Sequence, residues 1–222
     1  AGFFSPPNQH EYTFGQWTPW WRSYSSPSRE QFQQNLELKA TTDGAGKHHA
    51  LLHFKSVHPP RPISIRAEAT IIDINRRRMS ANTGLLVHPS KLYVGMKTKT
   101  YFVEKNKPLV VDLVASNIAG ELVSDVDIHM TAHRVENQWV KGQMKTEEKD
   151  EQKCTVRSQK EAVQCVFKTT KGGRYVLRAS LHDEEGRANQ SEMARWVSGA
   201  SDSSRSARVE REELQLIPSK RN

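Results

Sequence analysis

The chain has 222 residues, 36 % apolar, and a net charge of +8 from 33 Lys and Arg against 25 Asp and Glu. That length fits one or two domains, and the low apolar share, with a mean hydropathy of −0.73, implies sizeable loop or tail segments. No apolar run approaches the ~18 residues of a membrane-spanning helix. The basic charge is dispersed, and neither a helix-turn-helix pattern nor RNP aromatics accompany it, so direct membrane insertion and nucleic-acid binding are not expected. No signal peptide is visible and the first residue is Ala, so the sequence reads as a processed or excised piece.

An aromatic group opens the chain: Phe3, Phe4, Tyr12, Phe14, Trp17, Trp20, Trp21 and Tyr24. Rings this dense either cover the edge of a sandwich or form an exposed platform, with Trp17, Trp20 and Trp21 as a possible contact patch. Strands are expected over 34–41 and 48–55, either side of the turn Thr42-Asp-Gly-Ala-Gly46. Ile63, Ile65, Ala67, Ala69 and Ile71 alternate with polar residues, as along a half-buried strand. Ile72 and Ile74 continue in the opposite phase, which predicts a β-bulge near Ile71–Ile72. Arg76-Arg77-Arg78 then falls in a turn.

From Leu92 to about Ser198 the pattern holds seven or eight strands, enough for a complete sandwich. Their buried faces include Leu109, Val111, Leu113 and Ala115, then Val126, Ile128, Met130 and Ala132, then Tyr175, Leu177, Ala179 and Leu181. Before His88 only five strand patterns can be counted, so the first unit is expected to lack its opening strands. The expected organisation is an incomplete β unit over 1–87, a complete sandwich over 88–199, a linker over 200–212 and the start of a further unit over 213–222. The fold class is all-β, with two immunoglobulin-like antiparallel sandwiches.

Cys154 and Cys165 are the two cysteines. Folding a hairpin about Ser158–Glu161 sets Val156 opposite Val163 and Cys154 opposite Cys165 in one register. Opposed residues at a non-hydrogen-bonded pair lie about 4.5 Å apart at Cα, which predicts a cross-strand disulfide, the alternative being two buried free thiols. A disulfide implies an oxidising compartment, hence an extracytoplasmic chain.

Histidines give no metal site. His129 and His133 share a strand face but lie ~13 Å apart at strand rise, and His48, His49 and His53 have no suitably spaced carboxylate or thiol. There is no Gly-x-Ser-x-Gly, Gly-x-x-x-x-Gly-Lys-Ser/Thr, His-Glu-x-x-His or Cys-x-x-Cys sequence. Catalysis is therefore not expected, and neither is a cofactor or a metal. Arg205, Arg208 and Arg211 stand among small and charged residues; exposed, they would suit trypsin-like proteases, and otherwise they belong to an ordinary linker.

Several segments together resemble the macroglobulin modules of bacterial α-2-macroglobulin-like proteins. In order they are Tyr12-Thr-Phe-Gly-Gln-Trp-Thr-Pro-Trp-Trp21, Thr42-Asp-Gly-Ala-Gly-Lys-His48 and Pro60-Arg-Pro-Ile-Ser-Ile-Arg-Ala-Glu-Ala69. Asp73-Ile-Asn-Arg76, Leu86-Val-His-Pro-Ser-Lys-Leu-Tyr-Val-Gly95, the Cys154/Cys165 segment and Lys171-Gly-Gly-Arg-Tyr175 follow. Gly186-Arg-Ala-Asn189, Arg195-Trp-Val-Ser-Gly199 and Leu214-Gln-Leu-Ile-Pro-Ser-Lys220 complete the set. The resemblance implies a non-catalytic scaffold from the middle of a macroglobulin array, in a protein that traps proteases after they cleave a bait segment. Its partners would be neighbouring macroglobulin domains and the target proteases of the parent protein. No Cys-Gly-Glu-Gln thioester sequence occurs in this chain. The alternative function is an extracellular binding or adhesion module using Trp17, Trp20 and Trp21; a third is an accessory domain of a secreted enzyme.

Overall fold

The computed structural model describes residues 3–16, 36–51, 58–140 and 143–199, and every regular element among them is a strand. Strands β1 (Ile63–Ile72) and β2 (Arg78–Val87) form a separate two-stranded antiparallel sheet. Their register runs unbroken from Ile63↔Val87 to Ile72↔Arg78, so the bulge expected near Ile71–Ile72 is absent. The phase change has another cause: β1 ends at Ile72, and Ile74 belongs to a turn, where it is 99 % exposed. Asp73 builds that turn, its Oδ1 accepting the N–H groups of Asn75 and Arg77, both at 2.8 Å.

The turn at Asp43–Lys47 forms in the same way, with Asp43 Oδ1 accepting from Ala45 and Lys47. The strands expected around it do not: residues 36–51 hold no strand, and the rest of those two spans lies outside the described residues. Leu36, Leu38 and Leu51 are exposed.

The sandwich follows. Strands β3 (Leu92–Lys97), β5 (Leu109–Asn117) and β8 (Val163–Phe167) form a three-stranded antiparallel sheet in the order β3-β5-β8. Strands β4 (Phe102–Val103), β6 (Asp127–Val140), β7 (Gln143–Arg157), β9 (Gly173–His182) and β10 (Ala188–Val197) form the second sheet in the order β4-β10-β9-β6-β7. All its pairings are antiparallel except that of β4 with β10. The inner faces meet as the alternation predicts: Val111, Leu113, Ile128, Met130, Leu177 and Leu181 are all fully buried. Burying each such side chain contributes about 1.5–3 kcal/mol, which is why a strict period of two fixes the register here. A bulge does occur, but in the β6–β7 pair, where the register shifts between Ala132 and Arg134. Asp150, opposite that shift, has a positive φ of 54°.

Cys154 and Cys165 are bonded, with their Cα atoms 6.0 Å apart. The expected hairpin between β7 and β8 is replaced by a different arrangement. Cys154 pairs across the ladder with Met130 of β6, and Cys165 with Val111 of β5. The disulfide therefore joins the two sheets rather than two strands of one. Buried Ser158 explains the change. Its N–H donates to Val126 O (2.8 Å), its carbonyl accepts from Asp125 N (2.9 Å), and its hydroxyl donates to Val123 O (2.8 Å) and accepts from Val126 N (3.0 Å). Held to 123–126 in this way, the chain cannot turn back on β7 and crosses to β5 instead.

Residues 3–16 stand on the far side of the boundary expected at 87/88, yet they lie against the sandwich. Thr13 forms an antiparallel bridge with Met96 and Gln16 a parallel bridge with Glu192. The linker expected over 200–212 and the strand start over 213–222 lie outside the described residues.

Candidate interface surfaces

The β1–β2 sheet is amphipathic. Residues opposite each other in an antiparallel pair share a face, so Ile65, Ile71, Leu85 and Met79 project from one side together with Ala67, Ala69 and Ala81. The other side carries Ser64, Arg66, Glu68 and Thr70, interrupted by Leu86 and by Ile72, which is 57 % exposed; the Thr70 and Ser80 hydroxyls there are 2.8 Å apart. Among the described residues little covers the apolar face: Ile65 is half-buried, but Ile71 is 52 % exposed, Leu85 60 % and Met79 64 %. An apolar row of this length on one element marks a contact surface rather than scattered surface hydrophobes.

The root of this hairpin is fastened to the sandwich. Pro60 O accepts from Gln190 N at 3.1 Å, and Arg61 Nη1 donates to Gln16 Oε1 at 2.8 Å. Arg61 Nη2 lies 3.7 Å from Glu192. Burial lowers the Arg61 pKa against the opposing pull of Glu192. At the other end His88 Nδ1 and Tyr93 Oη are 2.6 Å apart, and Ser90 Oγ donates to Asp183 Oδ2 at 3.1 Å.

From Glu192 a lattice of alternating charge crosses the outer face of the five-stranded sheet. Arg178 donates Nε to Glu192 (2.9 Å) and both Nη groups to Glu148 (2.8 and 2.5 Å). The hydrogen bond to Glu148, ahead of the one to Glu192, raises the Arg178 pKa despite burial, and the same bond lowers that of Glu148. A second, separate cluster lies on the opposite face, where Arg134 continues the phase of Met130 and Ala132 beyond the core: it pairs with Asp150 (2.6 Å) and Glu136 (2.5 Å), and Lys171 reaches Asp150 at 3.0 Å. The most exposed of these pairs, Lys171 with Asp150, contributes about 0–1 kcal/mol. The larger consequence of the pairs is negative: charges along β7 make a poor edge for pairing with another chain.

No protein-family model matches this chain, and neither does any curated protein. Solved structures do. The α-2-macroglobulin of Salmonella reacted with methylamine matches over 86 % of this chain and 13 % of its own, with TM-score 0.50 and 14 % identity. The trypsin-activated α-2-macroglobulin of Escherichia coli matches over 87 % of this chain and 13 % of its own, with TM-score 0.50 and 13 % identity. The fold is α-2-macroglobulin-like. This chain spans 13 % of the length of either protein, and the share of this chain that matches extends well beyond the strands of the sandwich.

Among the described residues the histidines are dispersed. His129 and His133 lie on the outer face of β6, with His129 Nδ1 3.2 Å from Thr155 Oγ1 and His133 Nδ1 3.8 Å from Glu148. His48 and His49 are exposed, and His53 lies outside the described residues. Among the described residues no three His, Cys, Asp or Glu side chains are grouped as metal ligands. Two shallow clefts flank Pro108, one against Val166 and Phe167, the other against Phe102 and Thr98; between them they hold one acidic residue, Glu104, and no histidine. The possible contact patch Trp17, Trp20 and Trp21 lies outside the described residues. Of the same aromatic group, Phe14 is buried, Phe4 packs on His88 and Tyr93, and Phe3 is exposed. Sequence reasoning missed the rooted side of the hairpin: Gln16, Arg61 and Glu192 carry no motif, and only the fold brings them together.

Proposed function

We propose that this chain is a non-catalytic scaffold segment of an α-2-macroglobulin-like, protease-trapping protein that acts outside the cytoplasm. The observation that carries the reading is the bare apolar face of β1–β2 beside a finished sandwich, in an α-2-macroglobulin-like fold. A face of that kind calls for another folded module against it. The hydrogen bonds of Pro60 and Arg61 at its root transmit displacement of that module to β10. The disulfide between Cys154 and Cys165 supports an oxidising compartment. The role in the trap is mechanical: the segment holds modules in place and supplies no reacting group.

The test uses trypsin with the 222-residue chain and with the longer polypeptide that would carry it. The chain alone is expected neither to slow trypsin nor to form a complex with it. The longer polypeptide is expected to leave trypsin active on a small peptide substrate while shielding it from protein substrates. Stoichiometric inhibition by the chain alone would make it a direct inhibitor and end the scaffold reading, as would a longer polypeptide that leaves trypsin fully active on proteins.

A further inference from the structure

Strand β3 is an edge strand, yet the outward backbone groups of Val94 and Met96 are all bonded. Val94 N–H donates to Asn189 Oδ1 at 3.0 Å, and Val94 O accepts from Ser191 Oγ at 2.7 Å. Met96 instead exchanges two hydrogen bonds with Thr13, at 2.8 and 3.0 Å. Two residues on, Gly15 O accepts from Glu192 N at 2.7 Å and Gly15 N donates to Ser191 Oγ at 2.8 Å. Residues 13–15 thus add to β3 on one side and to β10 on the other, and close the gap between the two sheets.

The side chains are equally matched. Phe14, 2 % exposed, fills a socket formed by Gly95, Val114 and Tyr93. A Cβ at Gly95 would lie 2.7 Å from the Phe14 ring, so the socket exists only because residue 95 is glycine. Lys97 pairs with Glu11, Gln9 Nε2 donates to Gly120 O at 3.0 Å, and Phe4 lies 4.9 Å from the Tyr93 ring.

We propose that this groove is a strand-accepting site, and that a second copy of the chain can fill it with its own residues 3–16. Main-chain pairing on both sides of one anchored aromatic is the recognition mode of an added β-strand, which needs no covalent link to its acceptor. Gln16 is a bridged residue of this strap, and β3 begins only at Leu92. The connection is tied midway, by Arg61 to Gln16 and by Pro60 to Gln190, so a second copy's strap can enter only when the resident strap has opened. When the strap leaves, the Met96 and Glu192 backbone groups lose their partners, and the segment that restores all of them is the same strap from another molecule.

A fluorescently labelled peptide of residues 1–16, standing for the strap of a second copy, tests this against the unaltered chain and against Phe14→Asp, which weakens the resident strap and leaves the acceptor intact. The peptide is expected to bind the Phe14→Asp chain at least tenfold more tightly than the unaltered chain, and a peptide carrying Phe14→Asp is expected to bind neither. Absence of binding to a Phe14→Asp chain that still unfolds cooperatively with its disulfide formed overturns the proposal, as does equal binding to both chains. If Phe14→Asp does not fold, hydrogen exchange on the unaltered chain decides. The amides of Thr13, Met96 and Glu192 are expected to exchange together at least tenfold faster than those of β5 and β9; exchange of all of them only through global unfolding overturns it.

Discussion

At the scale of single residues, Asp183 carries the most. Its carboxylate is buried and accepts from Lys91 N (3.0 Å), Ser90 Oγ (3.1 Å), Glu185 N (3.1 Å), Arg187 N (2.9 Å) and Arg187 Nε (2.9 Å). Burial by itself raises its pKa, but the hydrogen bonds from Lys91 and Arg187 outweigh that and hold it well below the usual carboxylate range. The folded-state pKa therefore lies beneath the unfolded one, and the stabilisation is fully present above about pH 4 and lost as the pH falls through the folded value. Asp183→Asn is expected to cost about 2–3 kcal/mol at pH 7. Urea unfolding from pH 7 downward should show the difference from the unaltered chain shrinking below about pH 4. The same turn recurs at Asp43, Asp73 and Asn117, in each case with the side-chain oxygen accepting the N–H four residues on. The fourth residue of each has positive φ: Gly46, Arg76, Gly120 and, after Asp183, Gly186. At Gly120 a Cβ would also lie 2.0 Å from Pro7 O, so that position combines a left-handed backbone with a close approach. These turns could be read in the sequence one at a time; that they are one repeated device is visible only from the shared hydrogen bonds.

At the scale of elements, the strand faces were legible and the partners were not. Alternation at Ile128 and Met130, or at Leu177 and Leu181, states which side is buried, because a period of two follows from the geometry of any strand. It does not state which strand lies alongside. Val156 facing Val163 and Cys154 facing Cys165 satisfied a hairpin register, yet β7 and β8 lie in different sheets. An inner face looks the same whether the matching residues sit beside it or across the sandwich. The disulfide holds the sheets together where β7 and β8 are both outermost strands. Its removal, by reductant or Cys154→Ser with Cys165→Ser, is expected to cost on the order of 3 kcal/mol for a closed segment of this length. Thermal melts with and without reductant read that loss directly, and an unchanged melting temperature would contradict it.

At the scale of the whole molecule, one finished core stands next to one unfinished sheet. The apolar face of β1–β2 was legible as alternation from Ile63 to Ile71, which pointed to a half-buried strand; that Ile71, Met79 and Leu85 are exposed is seen only in the structure. The expectation that residues 3–16 go with that first unit met a different outcome, since Phe14 is buried in the sandwich. A bare apolar face has a measurable consequence: the isolated chain is expected to bind a hydrophobic dye such as ANS. Leu85→Lys with Met79→Lys is expected to abolish most of that binding while shifting the main unfolding transition by less than about 0.5 kcal/mol, since neither side chain touches the core. Dye binding that survives the substitutions would place the exposed apolar surface elsewhere.

The sequence by itself determined the all-β class, the buried faces of β5, β6 and β9 and the turn at Thr42–Gly46, because each follows from local periodicity or turn chemistry; it also paired the two cysteines, though from a hairpin register that does not form. The tertiary structure alone decided which strands share a sheet, that the disulfide crosses between sheets, and that residues 3–16 close the edge of β3. Those outcomes depend on contacts between residues far apart in the chain, such as Thr13 with Met96 and Ser158 with Val126. Such contacts form wherever an unpaired backbone group finds a partner, and no local pattern records where that partner is.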